Sequence, residues 1–195
     1  MAPRQIVAAV LVVLVLLLAA NHFRKRALER RRAEQPPAEG EFVLVCPSFG
    51  HGGAIPPEYT ADGRNVSPPL VWDNVPDGTM TFALVVEDPD APNRTFTHWM
   101  LCEIPGKLRE LPEGVPSGET TAFGAQGVND FRETAYGGPN PPHGQEHRYF
   151  FRLYALSTTL DMAGAYTKQQ LRAAMAGSIL AETALMGRYR PAAGR

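Results

Sequence analysis

Two clusters in this 195-residue chain combine ionisable side chains with conformationally special residues. The first is Glu87-Asp88-Pro89-Asp90-Ala91-Pro92, followed by His98-Trp99. Asp88 stands where an apolar run comes to the surface. Aspartates that bracket a proline commonly form turns, so a turn and a functional carboxylate are both open readings. The second is Tyr136-Gly137-Gly138-Pro139-Asn140-Pro141-Pro142-His143-Gly144, then His147-Arg148-Tyr149-Phe150. Glycines and prolines at this density specify a rigid loop, and glycine lets a backbone approach a ligand closely. On a strand, His147 and Tyr149 share a face that Phe151 and Leu153 continue, while Arg148 and Arg152 point the other way. A histidine and a tyrosine at the wet end of an apolar strand face could form a small polar pocket. A core histidine bonded to the backbone is the competing reading.

Other chemistries fit less well. His143 and His147 have i, i+4 spacing, but the prolines around them are not helical, so a helix-borne zinc pair fails. There is no paired C-x-x-C, no G-x-S-x-G and no G-x-x-x-x-G-K. No metal, cofactor or catalytic residue is therefore expected. The sequons Asn65-Val66-Ser67 and Asn93-Arg94-Thr95 would matter only in an exported chain in a glycosylating host.

These clusters need strands to hold them. Phe42–Val45, Pro68–Trp72, Met80–Val86, Thr97–Ile104 and Tyr149–Leu156 are short apolar runs bounded by turn residues. That pattern predicts an antiparallel β-sandwich. One helix is expected from the capping box Thr167-x-x-Gln170, with Leu171, Met175, Ile179 and Leu185-Met186 on one side and Gly187 as its C′ residue. Cys102 lies in the apolar run His98–Cys102 and reads as a small core residue.

The net charge of −1 is unevenly distributed: residues 1–35 sum to +5 and the remainder to −6. A mildly acidic domain is a poor nucleic-acid binder. Residues 5–23 carry no charged side chain except His22, and 19 residues at ~1.5 Å rise span ~28 Å, enough for a single-pass transmembrane helix. Arg4 alone precedes the run and six basic residues follow it, which places the domain in the cytoplasm by the positive-inside rule; export to the periplasm is the alternative. The expected organisation is an anchor over 1–23, a basic juxtamembrane helix and Pro-rich linker over 24–40, a folded domain over 41–190 and a tail over 191–195.

The two clusters together resemble the signature blocks of the phosphatidylethanolamine-binding proteins, also called Raf kinase inhibitor-like proteins. The stretch Ile55–Trp72 is similar to the opening of the bacterial branch, and Ala184-Leu185-Met186-Gly187-Arg188-Tyr189 to that branch's C-terminal helix end. The resemblance covers about three quarters of the chain. It implies a β-sandwich with Greek-key connections and a small pocket that takes phosphate, acetate or a phospholipid headgroup. By position, Asp88, His98, His147 and Tyr149 would line the pocket, and Gly138, Pro141 and Pro142 would shape its rim. Asp90 would hold the loop, with Trp99 as support. The stretch between Pro92 and His98 and the loop from Gly144 to His147 are short, and His143 stands where a lysine is common. These departures bear on ligand size, not on fold. The implied function is a membrane-tethered, non-catalytic binding module for a small anionic ligand or lipid headgroup. A regulator that inhibits a kinase or protease through its surface is the alternative. A hydrolase using Asp88 and the two histidines lacks a nucleophile or metal.

Overall fold

The computed structural model describes residues 40–192, together with Ala20, Gln35 and Ala38. The chain divides into two units, 1–35 and 36–195, and the account below concerns the second. Among the described residues, nine strands form two antiparallel sheets. The smaller has the order β1 (Val43–Val45), β2 (Leu70–Asp73), β5 (Glu110–Leu111). The larger has the order β6 (Thr120–Thr121), β7 (Gly124–Gln126), β4 (Phe96–Pro105), β3 (Thr81–Asp88), β8 (His147–Leu156), β9 (Ile179–Tyr189).

The long apolar runs become the central strands because both of their faces are covered. Along β3, Phe82, Leu84 and Val86 face the core between the sheets, with Leu44, Trp72, Leu101 and Phe151. Ala83 and Val85 face the other way, with Met100 and Cys102, beneath Tyr166, Leu171 and Met175. A strand buried on both faces reads as a continuous apolar run without alternation. Burying each large side chain here contributes about 1.5–3 kcal/mol. Cys102 is fully buried, and that burial pushes its thiol up to about 11, so it is a core residue.

Two expectations need correction. The helix starts as read: the Thr167 hydroxyl accepts from the Gln170 amide and the Gln170 side chain accepts from the Thr167 amide. The helix α1 then covers only Lys168–Met175. Gly177 adopts φ +82, a left-handed conformation that turns the chain out of the helix. From Ile179 the chain is strand β9, paired with β8 from Ile179↔Leu156 to Tyr189↔His147. Thr183, Leu185, Gly187 and Tyr189 are buried at the period of a strand. Gly187 is therefore no helix cap. It pairs with Tyr149, and a Cβ there would lie 2.5 Å from Ile55 Cγ1.

The membrane anchor is the second correction. Among the described residues, no helix is long and apolar enough to cross a membrane. Residues 5–23, and the basic stretch that follows them, lie outside the described residues apart from Ala20. The tether, the cytoplasmic and periplasmic placements built on it, and membrane contact through 5–23 are accordingly set aside.

Candidate functional site

The expected site residues converge at one end of the larger sheet, where β3, β4 and β8 finish side by side. Asp88 is the last residue of β3 and His147 the first of β8. The antiparallel register of these strands brings them together. His147 Nδ1 donates to Asp88 Oδ2 at 2.8 Å, and both side chains are about 5% exposed. The other carboxylate oxygen, Oδ1, accepts from the Asp90 amide at 2.8 Å. Asp88 thus closes its own turn and orients an imidazole, so the turn-forming and functional readings both apply.

Asp90 lies outside this pair and clasps Arg148. Its carboxylate accepts from the Arg148 backbone amide at 3.0 Å and from the guanidinium Nε and Nη2 at 2.9 and 2.8 Å. That fork-to-fork contact holds the Asp90 carboxyl below the ordinary aspartate value. The turn after β3 is thereby fastened to the start of β8.

His98 arrives from β4. Its Nδ1 faces the Gly137 carbonyl at 2.7 Å, an acceptor only, so this nitrogen carries the proton. The ring is surrounded by Phe96, Phe131 and Tyr149 at centroid distances of 5.1, 5.4 and 5.2 Å. Burial holds His98 below the ordinary histidine value, against the raising influence of the Gly137 carbonyl and Asp88. Tyr149 is 1% exposed, and its hydroxyl has no hydrogen bond among the described residues. Burial pushes that hydroxyl well up; the nearby Asp88 carboxylate adds to the shift, and the Asn140 backbone opposes it.

The ring nitrogens left over are the chemically important atoms. Among the described residues, Nε2 of His98 and Nε2 of His147 have no hydrogen-bond partner, and neither is sealed from solvent as the Tyr149 hydroxyl is. With Nδ1 protonated on each ring, the neutral form presents Nε2 as an acceptor and the protonated form presents it as a donor. The site therefore offers two imidazole edges to a small polar group, with a buried phenol beside them. It holds no cluster of metal ligands among the described residues.

The loop residues fall differently. Gly137, Gly138, Pro139 and Pro141 are buried, while Pro142 and His143 are exposed. The Gly138 amide is taken by Asn65 Oδ1 at 2.7 Å. A Cβ at Gly138 would meet Tyr59 O at 2.6 Å and Thr60 Cα at 2.8 Å. Its glycine thus serves close packing against the 59–65 turn. Trp99 points into the core between the sheets, where its Nε1 donates to Gln126 Oε1 at 2.6 Å. Sequence reasoning passed over Asn65, Gln126 and Asn129. Asn129 ties the 129–137 loop to the His98 carbonyl at 3.2 Å and to the Ala135 carbonyl at 2.9 Å. Phe131 was missed too: 40% exposed, it stacks edge-on against Phe96 and His98.

Residues 45–190 match the family model described as phosphatidylethanolamine-binding protein. The chain belongs to the phosphatidylethanolamine-binding protein family. Within it, the chain is 46% identical over 148 residues to a UPF0098 protein of Methanothermobacter thermautotrophicus, covering 75% of this chain and 97% of that one. A UPF0098 protein of Aquifex aeolicus is 43% identical over 145 residues, with 73% and 85% covered. Among solved structures, a phosphatidylethanolamine-binding protein homolog from Chlamydia trachomatis superposes with a TM-score of 0.72 at 35% identity, covering 78% of this chain and 99% of that chain. An Escherichia coli protein, described as a new member of the mammalian family, gives 0.71 at 28% identity, with 77% and 99% covered. The chain thus sits in the bacterial and archaeal UPF0098 branch of the phosphatidylethanolamine-binding proteins. No feature of the described residues gives a structural basis for a kinase or protease partner, and that part of the expectation is withdrawn.

Proposed function

We propose that this protein is a non-catalytic binding and regulatory module whose pocket, formed by Asp88, His98, His147 and Tyr149, takes a small phosphorylated or otherwise anionic ligand. One observation carries the reading. Each histidine is fixed by a bond at Nδ1 while its Nε2 is unpartnered and reachable, beside a buried tyrosine hydroxyl that has no partner. Two open imidazole edges beside a buried hydroxyl without a partner leave hydrogen-bonding capacity for a ligand. Asp88 would repel a bare anion; its role is to hold the His147 ring through Nδ1. Gly138, Pro141 and Pro142 support the site as its rim, with Gly138 contributing packing.

The test is a titration of the full chain with inorganic phosphate and with phosphoethanolamine, following the histidine ring signals by NMR. Saturable movement of the His98 and His147 signals, lost in His147→Ala, is the expected outcome. Still signals up to millimolar concentration of both ligands would reject the pocket as an anion site.

A further inference from the structure

The two histidines are oriented by different means. His147 has a carboxylate at its back, whereas His98 has a single peptide group. That peptide joins Gly137 to Gly138. Its carbonyl oxygen accepts from His98 Nδ1 at 2.7 Å, and its N–H donates to Asn65 Oδ1, also at 2.7 Å. Asn65 and His98 therefore hold opposite ends of one rigid amide plane. The Gly137 amide returns to the His98 carbonyl at 3.0 Å, so the loop and β4 are locked on that side as well.

We propose that Asn65 is a positioning residue that fixes His98 in the Nδ1–H tautomer and so makes its Nε2 a proton acceptor toward ligand; this deepens the pocket reading and rests on it. Three observations support the assignment. Asn65 has φ +54, a left-handed conformation that asparagine tolerates better than most residues and that aims its side chain back at the loop. The neighbouring backbone is fastened to the same loop, with Ala61 N donating to Pro139 O at 3.0 Å and Tyr136 Oη donating to Tyr59 O at 2.7 Å. Finally, Gly138 lies so close to Tyr59, Thr60 and Asn65 that it has no room for a side chain. Without the Asn65 acceptor, the buried Gly138 N–H would be unsatisfied, and the peptide would turn to find a partner. The carbonyl that selects the His98 tautomer would turn with it. Accepting at the N–H end also polarises the carbonyl, which strengthens the bond from His98.

The consequence is a ligand class. An acceptor Nε2 on a ring that stays neutral calls for an oxygen that brings its own proton. Inorganic phosphate keeps at least one P–OH at neutral pH, a phosphomonoester keeps one below its second pKa of ~6, and sulfate has none. The site should then prefer phosphate over sulfate.

The experiment uses the full chain, uniformly ¹⁵N-labelled, without ligand. Long-range ¹H–¹⁵N correlation reports which nitrogen of His98 carries the proton. The wild type is expected to show a pure Nδ1–H pattern. Asn65→Gly keeps the backbone conformation and removes the acceptor; it should give mixed tautomers. Asn65→Asp keeps an acceptor and adds charge; it should retain Nδ1–H and move that proton downfield, since charged acceptors make stronger bonds. A folded Asn65→Gly variant with an unchanged His98 pattern overturns the proposal. So does an Asn65→Asp variant in which the His98 proton does not move, and this arm decides alone if Asn65→Gly fails to fold. In a second step, inorganic phosphate and sulfate are titrated into each variant. A preference of about tenfold for phosphate in the wild type that collapses in Asn65→Gly supports the proposal. Equal affinity in the wild type overturns the ligand class. If neither anion binds, the pocket reading fails while the tautomer measurement still decides the role of Asn65.

Discussion

Glu87 and Asp88 are consecutive carboxylates at the end of the same strand, both buried, yet they face opposite sides of the sheet. Glu87 looks outward toward α1 and meets three cations: Lys168 at 2.5 Å, Arg172 at 3.6 Å and Arg152 at 3.8 Å. Arg152 is itself paired with Glu182 at 2.9 Å and lies over the Phe150 ring at 5.1 Å. Asp88 looks inward and meets one imidazole and one backbone amide. The outer site is compensated by charge within the protein. The inner site leaves the far edge of its imidazole, and that of His98, without a protein partner. Strand alternation has put two similar residues into different chemistry, and on the proposed function the ligand belongs to the inner side.

The comparison breaks most directly at Glu87. Glu87→Gln should cost about 2 kcal/mol, because it leaves two half-buried cations and an exposed one facing one another without their shared anion. The cost falls short of a fully buried pair because Arg172 is largely exposed. Urea unfolding with an unchanged slope would measure it. Phosphate affinity should stay as in the wild type. A variant that keeps its stability but loses phosphate would reverse the assignment of the two faces.

His147→Ala acts on the other side. It should weaken phosphate binding at least tenfold, about 1.4 kcal/mol. It should also cost stability, because the buried Asp88 carboxylate is left with the Asp90 amide and without the imidazole. Calorimetric titration beside urea unfolding separates the two quantities. A large stability loss with intact binding would make His147 a core histidine and nothing more.

Tyr149→Phe sharpens the same contrast. The hydroxyl has no hydrogen-bond partner among the described residues, so its removal should change stability by no more than about 0.5 kcal/mol. Phosphate affinity should fall several-fold. A stability loss above about 1.5 kcal/mol would show that the hydroxyl already has a structural partner and is no part of a ligand surface.

Much of this contrast was written in the residues. The spacing of His147 and Tyr149 gave a shared face, and the apolar run ending at Asp88 gave a carboxylate at a strand's end. The capping box at Thr167 marked the helix start. The helix end was lost because Leu171, Met175 and Ile179 continue a spacing of four across Gly177, and periodicity alone does not register a left-handed turn. Strands β5, β6 and β7 have two or three residues each and carry no apolar pattern. They form because loops bring them beside longer strands. Asn65 was invisible for another reason. Its partner is a backbone amide 73 positions away, and a backbone group has no signature in sequence.

The smallest effect expected is a difference in pH dependence, and it isolates His98. The groups around its ring are Asp88 and Asp130, the Gly137 and Gly138 backbone, and the rings of Phe96, Phe131 and Tyr149. Desolvation prevails, and His98 is held below its ordinary value. Between that lowered value and the unfolded value of ~6.5, the unfolded chain binds more protons than the folded one. Stability therefore rises with pH through this window, is complete above it, and is lost on acidification. His98→Asn cannot titrate, and its amide can take over donation to the Gly137 carbonyl. Urea midpoints at pH 8 and pH 5.5 should fall further on acidification in the wild type than in His98→Asn, with the other histidines cancelling in the comparison. An equal fall would mean that His98 takes up its proton as readily in the folded protein as in the unfolded one. Below pH ~6.5 the His98 Nε2 would then be a donor, and bare sulfate would bind there as well as phosphate.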